Sequence, residues 1–128
     1  MDTKLKNKLI EYNFNNISKL RIKYSELRNA TSSPSSLGWI LIDPFDKLIG
    51  YIHVYADYIL GLYITPEFRK RGYGSELIKR ITKENKFGGL SVNFMKDNEI
   101  AHKFFLKHGF HDNQLLNGRV LEMTTYNN

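Results

Sequence analysis

The sequence predicts an α+β fold in which a mixed, mostly antiparallel central sheet is flanked by helices. Three observations carry this reading. Apolar residues recur at helical spacing between Leu5 and Leu27, and the period then changes to three consecutive β-rich runs between Gly38 and Thr65. Beyond them a helical pattern is followed by another strand, so a strand–helix–strand crossover interrupts the antiparallel pairs.

Taken in order, Leu5, Leu9 and Ile10 predict one short helix and Ile17, Leu20, Tyr24 and Leu27 a second, with the break at Asn13 to Asn16. "TSSPSS" from Thr31 to Ser36 is a loop by composition. "GWILID" from Gly38 to Asp43 and "LIGYIHVYA" from Leu48 to Ala56 form a hairpin turned by "PFDK". "YILGLYIT" from Tyr58 to Thr65 is a third strand, stopped by Pro66, which has no N–H for a ladder. Leu77, Ile78 and Ile81 predict a helix from about Gly74 to Asn85. "LSVNF" from Leu90 to Phe94 is the next strand. Asp97 or Asn98 caps a helix carrying Ile100, Ala101, Phe104 and Phe105, and Gly109 ends it. Asn117-Gly118 turns a final hairpin.

A chain of 128 residues, with no repeat and no long linker, gives one domain over 1–128. It has no run of some eighteen apolar residues and no apolar centre in its Lys- and Asn-rich start, from which no membrane span and a cytoplasmic location are expected. The absence of cysteine removes disulfides, thiolate zinc sites and a cysteine acyl-enzyme, and no metal site is predicted. A net charge of +6 suits an anionic partner without choosing one.

The dense basic segment is "PEFRKRGYGSEL", where Arg69, Lys70 and Arg71 precede Gly72 and Gly74. A P-loop would need lysine after its second glycine, and a dinucleotide fingerprint would need a third glycine at Leu77, so neither is present. What remains is a strand running into a helix start, whose unpaired N–H groups and dipole suit a diphosphate.

In that context "LYITPEFRKRGYGSELI" resembles the acyl-CoA-binding motif of the GNAT superfamily of N-acetyltransferases, Arg/Gln-x-x-Gly-x-Gly/Ala, matched by Arg69, Gly72 and Gly74. "NEIAHKFFLKHGF" from Asn98 to Phe110 resembles the family's later motif, and the resemblance runs from about Gly38 to the C-terminus. The family begins with a strand before its first two helices; no strand is evident before Leu5, so this one is expected to be missing or short.

The resemblance implies acetyl-CoA as cofactor, bound by the splayed strand and the basic turn. Backbone N–H groups of Leu62, Tyr63 and Ile64 would hold the pantetheine and the acetyl carbonyl as an oxyanion hole. The turn formed by Arg69, Lys70, Arg71, Gly72, Tyr73, Gly74 and Ser75 would hold the pyrophosphate, and Asn98 would face the cofactor. Acetyl transfer to an amine requires removing a proton from an ammonium of pKa about 10.4 and protonating the departing thiolate. The family's base positions on the strand fall on Tyr58 and Leu60; Tyr58 could act through water, and His53 lies on the Tyr51/His53/Tyr55 face of the preceding strand. Many relatives place an acid tyrosine where this chain has Phe105, which cannot donate; water, Tyr73 or His102 could substitute.

The function expected is therefore direct transfer from acetyl-CoA to a primary amine in a ternary complex. A fold-retaining binding or regulatory module is the alternative, and a basic nucleic-acid binder ranks third. The acceptor would enter between Tyr12 to Asn16 and Asn113 to Gly118, where Asp112 is the one acid noted, which favours a protein amine or a weakly charged metabolite over a polycation. A homodimer is compatible with the sequence.

Overall fold

The computed structural model describes residues 6–13, 15–29 and 36–127. Seven strands form one sheet in the order β1-β2-β3-β4-β5-β7-β6. They are β1 Lys8–Asn13, β2 Ser36–Ile42, β3 Leu48–Tyr55, β4 Tyr58–Ile64, β5 Ser91–Met95, β6 His111–Leu116 and β7 Val120–Thr124. The β4–β5 pair is parallel and every other pair antiparallel, as the crossover pattern predicts. The helices are α1 Ile17–Lys23, α2 Tyr73–Glu84 and α3 Glu99–Lys107.

The first predicted helix is a strand. Lys8–Asn13 pairs antiparallel with β2, Leu9 opposite Leu41 and Tyr12 opposite Gly38. Leu9 packs into one core while Ile10 and Tyr12 pack into the other. A strand covered on both faces needs apolar neighbours in sequence, and that adjacency imitates helical spacing. The first strand is thus present as six residues; Leu5, and positions 31–35 of the predicted loop, lie outside the described residues. The second predicted helix is shortened to α1: Tyr24 turns extended, and a 3-10 segment, Ser25–Asn29, carries Leu27.

Remaining elements follow the sequence reading within a few residues. Asn98 caps α3 by accepting the Ala101 N–H at 3.1 Å, and Gly109 leaves the helix at φ +87°. Asn117 and Gly118, both at positive φ, turn the last hairpin.

Two cores lie on opposite faces of the sheet. On one, α2 and α3 bring Leu77, Ile78, Ile81 and Phe105 against Ile49, Ile52, Val54 and Met123. On the other, α1 and the 3-10 segment cover Tyr12, Ile40, Ile42 and Leu48 with Ile17, Tyr24 and Leu27. Among the described residues, no helix is long and apolar enough to cross a membrane.

Candidate functional site

β4 leaves its neighbour almost as soon as it meets it. The parallel ladder consists of Tyr58 with Ser91 and Ile59 with Val92, and then ends. Leu60 is an unmatched extra residue on β4, since His53 pairs Gly61 while Val54 pairs Ile59. A bulge of this kind bends its strand and ends pairing. The result is a V-shaped cleft of about 360 Å³ between β4 and β5, lined by Leu60, Gly61, Leu62, Phe94, Asn98 and Phe104 among others.

The direction of the β4 amides follows from the register. Thr65 donates its N–H to Ile49 O at 2.8 Å, and antiparallel ladders alternate, so Gly61 and Tyr63 also face β3. Leu62 and Ile64 then point their N–H groups toward the opening. The Ile64 carbonyl confirms the sense, because it accepts from Arg69 Nε at 2.9 Å. Of the three backbone donors predicted, Leu62 and Ile64 face the cleft and Tyr63 faces β3.

Beyond Pro66 the chain makes a short 3-10 turn, and then Lys70 at φ +64° and Gly72 at φ +86° bring it into α2. An added Cβ at Gly72 would meet nothing within 4 Å, so glycine is there for its backbone angle. At Gly74 a Cβ would come 3.3 Å from the Phe104 ring, so that glycine lets α2 lie close to α3. No side chain caps α2, leaving its first-turn amides directed outward beside exposed Arg69, Lys70 and Arg71. Arg69 lies over the Tyr63 ring as well as bonding Ile64, so it buttresses the strand end. Ser75 Oγ pairs with His108 Nε2 at 2.8 Å, and Tyr73 packs edge-on to Phe68.

Phe105 is buried in a cluster with Phe94, Phe104 and Phe110, its ring stacked on Phe94. His102, named as a substitute acid, pairs with Asp112 of β6 at 2.7 Å, and its ring lies 6.4 Å from that of Phe94.

Across the opposite face, one row of residues crosses four strands in register: Tyr12, Gly38, His53 and Gly61. A Cβ at Gly38 would fall 2.0 Å from the Tyr12 ring, and one at Gly61 would fall 3.1 Å from the His53 ring. Both glycines therefore make room for the aromatic side chain beside them. Tyr12 Oη and His53 Nδ1 are buried with no hydrogen-bond partner among the described residues. Burial, helped by the Arg21 charge, holds the His53 imidazole below its usual pKa, and burial with neighbouring Tyr51 pushes the Tyr12 phenol up. His53 is thus a neutral base candidate behind the side-chain-free edge of β4.

Tyr58, the other candidate, is a donor. Its hydroxyl makes a short hydrogen bond to Glu122 Oε2, and this bond, with burial, pushes the phenol up to about 12. Glu122 Oε1 accepts from Asn113 Nδ2 at 2.6 Å and Gln114 Nε2 at 3.0 Å. The Tyr58 hydrogen bond, joined by these amides, holds the carboxyl below its usual range against the effect of burial. Sequence reasoning missed Glu122. Its signal was alternation: in β7, Leu121 and Met123 face the apolar core, so Glu122 and Thr124 must face the other way.

The sequence model of the acetyltransferase (GNAT) family matches residues 4–110. The comparison with curated proteins found no match. Among solved structures, Arabidopsis thaliana NAA60 in complex with acetyl-CoA is 16% identical with a TM-score of 0.68, covering 93% of this chain and 97% of that one. The PaiA N-acetyltransferase of Thermoplasma acidophilum in complex with coenzyme A is 15% identical, TM-score 0.66, covering 93% and 98%. Vibrio cholerae spermidine/spermine N-acetyltransferase SpeG is 14% identical, TM-score 0.62, covering 93% of each chain. At such identities the likeness is one of fold.

Proposed function

The chain belongs to the acetyltransferase (GNAT) family, and we propose that it transfers the acetyl group of acetyl-CoA directly to a primary amine in a ternary complex. The observation that carries this is the V between β4 and β5 running into the uncapped start of α2. That arrangement fits acetyl-CoA: backbone donors line an elongated cleft, and a helix N-terminus with three exposed cations lies at its end. Arabidopsis thaliana NAA60, of similar fold, has been solved in complex with acetyl-CoA.

In this reading Lys70, Arg71 and the first amides of α2 hold the pyrophosphate, while Asn98 borders the pantetheine. The Leu62 and Ile64 N–H groups hydrogen-bond the thioester carbonyl oxygen. When bound, acetyl-CoA supplies the acyl group and carries away a thiol. An acceptor entering as an ammonium gives up two protons, one needed by the departing sulfur and one released to solvent. His53 Nδ1 takes the first of these as the nitrogen becomes nucleophilic. Tyr58 cannot be the base while its proton is shared with Glu122. Phe105 offers no proton, so water returns one to the sulfur; coenzyme A is a tolerable leaving group near neutral pH.

Phe105, sealed among three other phenylalanines, also favours a second reading, a module that binds coenzyme A without turnover. One experiment tests both. Titration calorimetry should show coenzyme A binding that Gly74→Val weakens at least tenfold, because Phe104 must move. Thiol release from acetyl-CoA should then depend on added amine. Binding without amine-dependent release selects the second reading, and no binding at all overturns both.

A further inference from the structure

Glu122 is a buried carboxylate, 4% exposed, with three hydrogen-bond donors and no cation. None of the ion pairs among the described residues includes it, and no cationic side chain contributes to holding its charge. Buried charges ordinarily have a partner of opposite sign, because hydrogen bonds alone compensate incompletely for lost water. Of the nearby acids, Asp112 pairs with His102, while Asp57 accepts from Tyr126 Oη at 2.7 Å and is only partly buried, so water still reaches its charge. Glu122 is the buried acid without a cation among the described residues.

Its position says where that cation would come from. Tyr58 stands at the apex of the V, one residue before β4 parts from β5. With its one O–H donated to Glu122, the Tyr58 hydroxyl can interact with anything else solely as a hydrogen-bond acceptor. Asn113 and Gln114, which hold the other carboxylate oxygen, belong to β6 at the edge of the sheet. The half-exposed Tyr55 ring stands opposite Tyr58 in the register.

We propose that the Tyr58–Glu122 pair is the acceptor-binding anchor and that it selects an amine carrying one positive charge. The acceptor docks as its ammonium, an N–H donating to Tyr58 Oη with the Glu122 carboxylate behind it balancing the charge, and leaves this anchor for the thioester as it gives up its proton. Glu122 acts through Tyr58 and is a positioning residue. One buried carboxylate matches one ammonium, while the Tyr55 ring suits an uncharged chain carrying it. Polyamines gain nothing from their further charges here.

This inference rests on the acetyltransferase reading, and the test separates the two. n-Hexylamine, spermidine and a short peptide with a free α-amine are titrated by calorimetry into the wild type, Glu122→Gln and Tyr58→Phe, with and without coenzyme A. Acceptor KM and kcat are measured in parallel with acetyl-CoA. The expected result is a loss of about tenfold in n-hexylamine affinity and a matching rise in its KM in both variants, with kcat changed less than threefold and coenzyme A affinity unchanged. Tyr58→Phe serves where Glu122→Gln fails to fold. Amine binding that depends on Glu122 without turnover keeps the anchor and overturns acetyl transfer. Unchanged amine affinity in both variants, no amine binding by the wild type, or a tenfold preference for spermidine over n-hexylamine overturns the anchor.

Discussion

The two faces of the central sheet are built to different rules. Under α2 and α3 the buried residues are almost wholly apolar: leucine, isoleucine, valine, phenylalanine and methionine form one continuous cluster. On the α1 face the buried set includes Tyr12, His53, Ser36 and Glu122, and three of these carry a polar atom without a hydrogen-bond partner among the described residues, against one, Trp39 Nε1, on the α2 face. Unpartnered buried polar atoms cost about 1–3 kcal/mol each, so a fold selected for stability alone would not keep them together. One face holds the molecule together and the other holds its polar chemistry.

The sharpest way to break this contrast is to truncate each face in turn. Leu77 is fully buried beneath α2, and Leu77→Ala should lower the free energy of unfolding by about 3 kcal/mol, measured by urea denaturation. Opposite it, Tyr12→Phe removes a hydroxyl that has no partner among the described residues and leaves the ring in its place over Gly38. That change should raise stability by about 1 kcal/mol while weakening acceptor turnover. Should Tyr12→Phe instead destabilise the protein, the hydroxyl has a partner in solution and the face is better satisfied than its geometry indicates.

Legibility followed the same divide. The basic turn, the α2 and α3 stripes and the Asn98 cap are local patterns, each set by neighbours in sequence, and all could be read from residues 66 to 110. What could not be read depends on register between distant strands. β1 reads as a helix because its two apolar residues serve opposite faces, and nothing in Lys8 to Asn13 announces the second core. Tyr58 falls on a base position of the resembled family, but the partner that makes it a donor lies 64 positions away, on a strand whose only charged residue is Glu122. Tyr63 was assigned a donor role that alternation along β4 denies it, since the phase of the ladder is fixed by Thr65 and Ile49.

The smallest expected effect tests whether His53 belongs to the sealed or the reactive side of this division. Its folded pKa lies below the ordinary value of 6.5, with burial the larger cause and the Arg21 charge the second. As pH falls below 6.5, the unfolded chain therefore takes up a proton that the folded chain resists, and stability declines toward acid, by at most about 1.4 kcal/mol per pH unit for one group. His108 is depressed in the same direction, first by burial and then by Lys107 and Lys79, so it adds a similar slope. It remains in a His53→Gln variant, and the difference between the two proteins isolates His53. Unfolding free energies compared between pH 7.5 and 5.5 should fall more steeply in the wild type than in the variant, by less than 1 kcal/mol over about one unit. The carboxylates held low by hydrogen bonds, Asp46 and Glu122, lose their contribution only below their ordinary range near pH 4, outside this window. Equal slopes would mean that His53 reaches water freely as a surface imidazole does, and the base would then have to be sought in solvent instead of behind Gly61.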